Sequence, residues 1–390
     1  MKRPQAPAPG AYSAADARLF PVIDRHTWLN HAAISPWPQP VIDAMRGFVE
    51  DNARFGPLHY ADWMAVEARL REQAAAMLRA DRDDIALVKN TSDGLCMIAG
   101  GLEWQPGDAV IWVADDFPSN CLPWQQRVPP AVRRCEVRLQ ANDPEASILA
   151  ALDADTRLVA ISSVHYGSGL CLDLERIGRA CRAHGALLVV DAIQQLGALP
   201  LRVDELPVDF VVAGSHKWLM APEGLALFWS HPEARRQLTP TQPGWRMWPD
   251  MFNFDREDWT PPTPARRFEP GTLNMAGIHG LAAALELINA LDPQACGEAL
   301  RDRSERLIDG LQQLTRSDRI HIVTPRARTR RAGIVSFRVD GRDSAELVRQ
   351  LAEHDVHAAV RGPWVRLSPH WYTPMVQIDQ ALGQIDALLV

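Results

Sequence analysis

The chain has 390 residues and a net charge of −7, long enough for one large domain and a smaller one, each with its own core. The acidic balance excludes the basic face that nucleic acid requires, and no apolar run approaches the ~20 residues of a membrane span. Six cysteines (96, 121, 135, 171, 181 and 296) form no CxxC pair and no metal-ligand spacing, so neither a metal site nor a disulfide framework is expected. The N-terminal stretch lacks the apolar segment of a signal peptide, and a reducing, cytoplasmic setting is expected.

From about residue 85 to 230, short apolar runs alternate with helix-period segments. The predicted strands are "IALVKN", "AVIWVA", "CEVRL", "RLVAISS", "ALLVVDA", "DFVVAG" and "LALFWS", with helices such as "SDGLCMIAGGL" and "LERIGRACRAHG" between them. Strands apolar on both faces and joined by helices predict an α/β fold with a mainly parallel sheet of seven strands, covered on two sides. A Pro-, Trp- and Arg-rich stretch at 239–272 interrupts this rhythm; it is too apolar for a linker and reads as an ordered loop packed on a partner subunit or over a cleft. Two helices follow at about 276–316, then strands "RIHIVTP" and "GIVSFRVD", a helix, strands "VHAAVR" and "WVRLSP", and a final helix. The basic run "PRARTRRAG" reads as an exposed turn before a strand. The expected organisation is a large domain over 31–272 and a small α+β domain from 1–30 and 273–390.

Lys2, Lys89 and Lys217 are the only lysines in a chain that otherwise uses arginine for positive charge. Arginine keeps its proton, whereas a desolvated lysine loses it, so Lys217, just past the strand "DFVVAG", is a candidate nucleophile for Schiff-base chemistry. Asp191 directly follows another apolar strand, where a buried carboxylate needs a cationic partner. The protonated ring nitrogen of pyridoxal phosphate is such a partner, and Gln194 is placed to donate to the ring oxygen. Thr91 and Ser92 open a helix after a strand, a site suited to phosphate. Ligands of such sheets gather beyond the carboxyl ends of the strands, where all these residues fall.

These motifs, with "WLNHAAISPWP", "DFPSNCLPW", "SSVHYGSGLCLDL", "GSHKWLMAPEGLALF", "RRFEPGTLN" and "VRLSPHWYT", resemble the class V aminotransferase group of fold-type I pyridoxal-phosphate enzymes, which holds cysteine desulfurases, kynureninases and isopenicillin N epimerase-like proteins. The resemblance implies that Lys217 bonds the cofactor, Asp191 pairs with its pyridine nitrogen, and Gln194 faces its hydroxyl. It gives the phosphate to Thr91, Ser92, His216 and Ser215, although Gly214 stands where family members often carry serine. Phe117 matches the residue that stacks on the ring, a histidine in desulfurases. Thr272 matches a residue that reaches the neighbouring subunit's phosphate, implying a homodimer with shared active sites. On the substrate side, Arg366 matches the arginine that grips an α-carboxylate. Asn30 and His31, in a segment running to Ala33, would line the cleft, and His165 and Tyr166 occupy the place of a desulfurase asparagine.

Desulfurases carry a nucleophilic cysteine on a loop just before that arginine. Here the segment "VHAAVRGPWVRLSP" has none. The reactions that remain need Lys217 alone as acid and base: nominally transamination, alternatively C–S or other β-elimination, or epimerisation. A pyridoxal-phosphate-binding regulatory protein is the non-enzyme alternative. A nucleotide-binding reading fails because "YGSGL" is not a GxGxxG turn opening a helix.

Overall fold

The computed structural model describes residues 17–389. Lys2 and the rest of 1–16, which the sequence assigns to the small domain, lie outside the described residues. In chain order, β1 (Thr27–Trp28) leads into two long helices, α1 (Gln39–Phe55) and α2 (Tyr60–Leu78). Next come β2 (Ile85–Val88), α3 (Thr91–Gly101), β3 (Ala109–Val113), α4 (Leu122–Gln126), β4 (Arg133–Val137) and α5 (Ala146–Ala151). They are followed by β5 (Thr156–Ser162), α6 (Leu174–Ala183), β6 (Leu187–Asp191), β7 (Phe210–Gly214), β8 (Ala226–Ser230) and α7 (Pro232–Arg236). The remainder holds α8 (Met275–Asn289), α9 (Pro293–Gln313), β9 (Ile320–Ile322), β10 (Val335–Val339) and α10 (Ser344–Glu353). It ends with β11 (Val356–His357), β12 (Ala359–Arg361), β13 (Trp364–Leu367) and α11 (Met375–Leu389).

The seven runs read as strands form one seven-stranded sheet, in the order β2-β8-β7-β6-β5-β3-β4. Only β8 runs against its neighbours, β2 and β7; the other pairings are parallel. Every residue of β3, β6, β7 and β8 is buried, as strands covered on both faces require. The carboxyl ends of β2, β3, β5, β6 and β7 therefore open on a common edge, where the site is built.

A four-stranded antiparallel sheet, β12-β13-β10-β9, forms the smaller layer, with α9, α10 and α11 supplying much of its core. The run "VHAAVR", read as one strand, divides: β11 pairs in parallel with β1, while β12 turns to pair with β13. Alternation of side chains along a run does not reveal that its two halves take partners in different sheets. Helix α8 lies on α1 and α2, and its Ile278, Leu281 and Leu285 join the core of the large sheet, which thus continues past residue 272.

The basic run at 325–333 is not simply an exposed turn. Arg331 is fully buried, donating to Glu305 and to Ser304 Oγ (3.2 Å), while Arg330 reaches Glu145 (2.6 Å) and Arg328 reaches Asp302 (2.6 Å). Its charges are there to match acids on α9 and before α5.

The stretch 239–272 is anchored by ion pairs. Glu269 is fully buried; its two oxygens accept from Arg71 (2.6 and 2.7 Å), from the Leu87 N–H (2.7 Å) and from Arg246 (3.4 Å). Arg246, itself buried, also donates to Glu67. Two guanidiniums and two carboxylates balance here, so removing one carboxylate leaves charge and a strand N–H unmatched. Glu269→Ala should cost about 3–5 kcal/mol, read as a clearly lower urea midpoint; an unchanged midpoint would show that water replaces the carboxylate.

Candidate active site

Five parallel strands deliver residues to a cavity of about 360 Å³. Beyond β2 come Asn90, Thr91 and Ser92; beyond β3, Phe117 and Ser119; beyond β5, Tyr166; beyond β6, Ile193 and Gln194; beyond β7, His216 and Lys217. Ala32, Ala33 and Ile34 close one side, and Arg361 and Arg366 come from the small sheet. A larger cleft of about 490 Å³, lined by residues such as Arg79, Arg179 and Asp204, lies at the opposite end of the strands and assembles no such set.

The Lys217 loop is held from several sides. Ser215 Oγ donates to the carbonyls of Pro222 and Leu225, tying the turn after β7 to the start of β8. The Ser35 N–H donates to the His216 carbonyl (2.9 Å), and the buried Trp218 indole donates to Gln194 Oε1 (2.8 Å). Gln194 Nε2 donates one proton to the Ala32 carbonyl (3.0 Å), leaving its second N–H free for a ligand. Gly197, at φ +94°, lets the chain after β6 press on the Trp218 carbonyl, which a Cβ would meet at 2.4 Å.

Burial dominates the electrostatics. It raises the pKa of Asp191, which is 1% exposed; the carboxylate of Asp116 pushes the same way, opposed by the Ile193 N–H (3.0 Å) and by Lys217. Burial also lowers the pKa of Lys217, and Arg366 and Arg361 add to this against the pull of Asp191. Left to themselves, the two groups are driven toward their neutral forms. A cation set against Asp191 restores its charge, and the protonated pyridine nitrogen of pyridoxal phosphate supplies one.

The other walls fit the same cofactor. Lys217 Nζ lies 5.3 Å from the centroid of the Phe117 ring, which stands edge-on to Tyr166. Thr91 and Ser92 open α3, whose N-cap Asn90 accepts from the Asp93 N–H (2.8 Å). Ser92 Oγ is 2.7 Å from Ser119 Oγ, and Thr91 Oγ1 accepts from the Gly214 N–H (3.1 Å). Hydroxyls beside a helix start, with His216 opposite, suit a phosphate group. A Cβ on Gly214 would meet Ile193 at 3.0 Å and the His216 ring at 3.3 Å, so histidine fills the room a serine side chain would need.

Arg366 is 1% exposed, and burial lowers its pKa, with Arg361 pushing the same way. Its Nη1 donates to the Tyr166 carbonyl (2.9 Å), while Nε and Nη2 are buried with no protein partner. Unpaired buried donors on one guanidinium fork are a costly arrangement that a bound carboxylate completes.

Not every residue read from the sequence reaches this cavity. The Ser215 hydroxyl is spent on the carbonyls of Pro222 and Leu225. His31 is fully buried between the Ser368 carbonyl (2.8 Å) and the Tyr372 hydroxyl (2.8 Å), and burial lowers its pKa to about 3. Asn30 forms a bridge with Ser368, and His165 joins Ser168 Oγ to the Asp115 carbonyl, both at 2.9 Å. Thr272 is exposed and does not line the cavity of its own chain.

Two residues escaped the sequence reading. Asp116, buried beyond β3, accepts from Ser162 Oγ (2.7 Å), the Ser162 N–H (3.0 Å), Asn120 (3.0 Å) and the Phe117 N–H (2.7 Å), and so sets the Phe117 loop over the cleft. Its signal was its place after a strand, as for Asp191. Arg361, at the end of β12, brings a second guanidinium to the wall.

Residues 27–366 match the family model for aminotransferase class V. A probable cysteine desulfurase of Methanothermobacter thermautotrophicus is 29% identical over 94% of this chain and 95% of its own length. The isopenicillin N epimerase of Streptomyces clavuligerus is also 29% identical, over 92% of this chain and 94% of its own. The solved structure of the cystine C–S lyase C-DES with its product cysteine persulfide superimposes with a TM-score of 0.86 at 26% identity, covering 94% of this chain and 99% of that one. With a fold-type I sheet that sets Lys217 and Asp191 at one edge, Arg366 facing them from the small sheet, and a match that spans both layers, the chain belongs to the aminotransferase class V family of pyridoxal-phosphate-dependent enzymes.

Proposed function

We propose that the protein is a β-lyase, releasing a sulfur or comparable leaving group from the β-carbon of an amino acid, rather than the aminotransferase its family name suggests. A cavity with one basic amine and no thiol, lined by none of the six cysteines, speaks against a persulfide route; the observation that favours elimination over transamination is the likeness, over nearly the whole chain, to a solved structure named a cystine C–S lyase. Relatives named desulfurases and a neighbour named a cystine C–S lyase make sulfur the favoured leaving atom. Without a protein thiol to capture it, the sulfur departs with the small-molecule product.

When bound, pyridoxal phosphate supplies the electron sink that makes the substrate Cα–H acidic. The protein supplies the rest. Arg366 holds the α-carboxylate through its free Nε and Nη2, which fixes the Cα–H toward Lys217. Lys217, its pKa lowered by burial and by the two arginines, takes that proton as general base and is then poised to return it as acid. Phe117, lining the cavity beside Lys217, would hold the cofactor ring and exclude water, and Tyr166 has the hydroxyl to protonate the leaving group. Asp191 would hold the ring nitrogen of the cofactor and favour its protonated form, with Asp116 fixing the Phe117 loop. Arg361, on the same wall, is placed to attract an acidic or polar substrate side chain.

Thr272, together with exposed Phe252 and Phe254 in the same loop, supports a homodimer in which that threonine completes the partner's phosphate site. A cytoplasmic location and a small-molecule amino-acid substrate, with no nucleic acid, complete the proposal; among the described residues no helix is long and apolar enough to cross a membrane.

Incubation with cysteine, cystine and other β-substituted amino acids should release ammonia and a keto acid with no keto-acid acceptor present. Conversion of the cofactor to its pyridoxamine form, with ammonia absent, would instead establish transamination. Arg366→Ala should raise KM for carboxylate substrates roughly 10- to 100-fold, the loss of a charge-assisted pair. An unchanged KM would mean the carboxylate is held elsewhere.

A further inference from the structure

Away from the cleft, three side chains with metal-binding atoms meet where the N-terminal segment joins the small layer. His26 precedes β1; Asp355 and His357 flank Val356 on and before β11. The parallel pairing sets Thr27 opposite Val356 and Trp28 opposite His357. Both backbones are fixed there: the Thr27 N–H donates to the Asp355 carbonyl and the Leu29 N–H to the His357 carbonyl, each at 2.9 Å. His26 Nδ1 lies 3.2 Å from Asp355 Oδ1 and 3.3 Å from His357 Nε2, and all three ligand atoms fall within 4.8 Å of one another.

Hydrogen bonding serves this arrangement thinly, because a protonated His26 Nδ1 must share one proton between Asp355 Oδ1 and His357 Nε2, at 3.2 and 3.3 Å. A neutral imidazole nitrogen is either a donor or an acceptor. If His26 Nδ1 carries the proton for Asp355, it cannot accept from His357. If it carries a lone pair for His357, that lone pair faces the carboxylate oxygen. A single cation relieves the conflict, because two imidazole lone pairs and one carboxylate oxygen then all point at positive charge. Two of the three separations agree with one ion, since ligands about 2.0–2.1 Å from a tetrahedral centre lie ~3.3 Å apart, and the third pair lies within 4.8 Å. Asp355 follows the C-cap of α10, and its φ of 58° is the left-handed turn of an ordinary helix end. Its side chain is 69% exposed and that of His26 42%, so an ion reaches the cluster from solvent.

We propose that His26, Asp355 and His357 bind one divalent first-row transition cation of the zinc type, with water completing the coordination. Two nitrogens and one oxygen favour such an ion over magnesium or calcium, which prefer all-oxygen shells. The expectation of no metal site rested on short-range spacing; His26 and Asp355 are 329 positions apart, and only the β1–β11 pairing brings them together. Bound there, the ion staples the segment that runs on to Ala32 and Ala33 to the strand that runs on to Arg361, two edges of the cleft.

The test is calorimetric titration of zinc, and separately of nickel, into untagged, chelator-treated holoenzyme, with His357→Ala, Asp355→Asn and the double variant His26→Ala/His357→Ala alongside. The single variants should each weaken a one-per-chain site by roughly tenfold or more, and the double variant should lose both that site and the rise in melting temperature the metal gives the parent. Magnesium should give no heat in any of them. Metal-free melting of the variants, matched to the parent, establishes that they are folded, and the double variant, which keeps all six cysteines, serves to subtract their binding. Unchanged affinity and stoichiometry in the double variant, or no uptake by the parent, would overturn the proposal.

Discussion

The structure turns on the burial of Lys217 and Asp191 at adjacent strand ends. Neither group is stable there in its ordinary charge state, because desolvation drives both toward neutrality. The fold does not neutralise them with each other alone. It adds two arginines on the lysine's side and a second carboxylate, Asp116, on the aspartate's side, which widens the imbalance. A site so arranged is completed by a ligand with a cationic ring nitrogen, a group that accepts an amine, and an anionic tail for the helix start at Thr91. Pyridoxal phosphate carries all three.

Much of this was legible in the chain, for a definite reason. Seven apolar runs separated by helices fix a doubly covered sheet, and a parallel sheet puts the residue after each strand on one edge. Asp191, Lys217 and Thr91 could therefore be placed together without a contact being known. What was not legible lies where partners are far apart in sequence. Ser215 stands beside Lys217, yet only the turn to β8 shows that its hydroxyl is used internally. His31 adjoins a cleft-lining segment but belongs to the packing around Tyr372. The split of "VHAAVR" between two sheets follows from pairing with β1, more than 300 positions away. Arg331, at the end of a run that looks like a solvated turn, is buried because acids of α9 meet it.

The departures from desulfurase chemistry are consistent with each other. A persulfide mechanism needs a thiol at the cleft; the segment before Arg366 is a short β12–β13 connection with none. A proton relay above the ring needs a titratable group; Phe117 offers a hydrophobic face. In the proposed reaction both differences leave the Cα proton to Lys217, with Arg361 on the same wall of the cleft. The family scaffold is retained, while the cavity is lined by none of the six cysteines.

All of this rests on Lys217 being the residue that holds the cofactor. Reduction of the purified holoenzyme with borohydride, followed by proteolysis and mass spectrometry, tests that directly. The account predicts a pyridoxyl group on the peptide containing "GSHKWLM", with stoichiometry near one per chain. Labelling of Lys89 instead, or protein that takes up no cofactor, would contradict it.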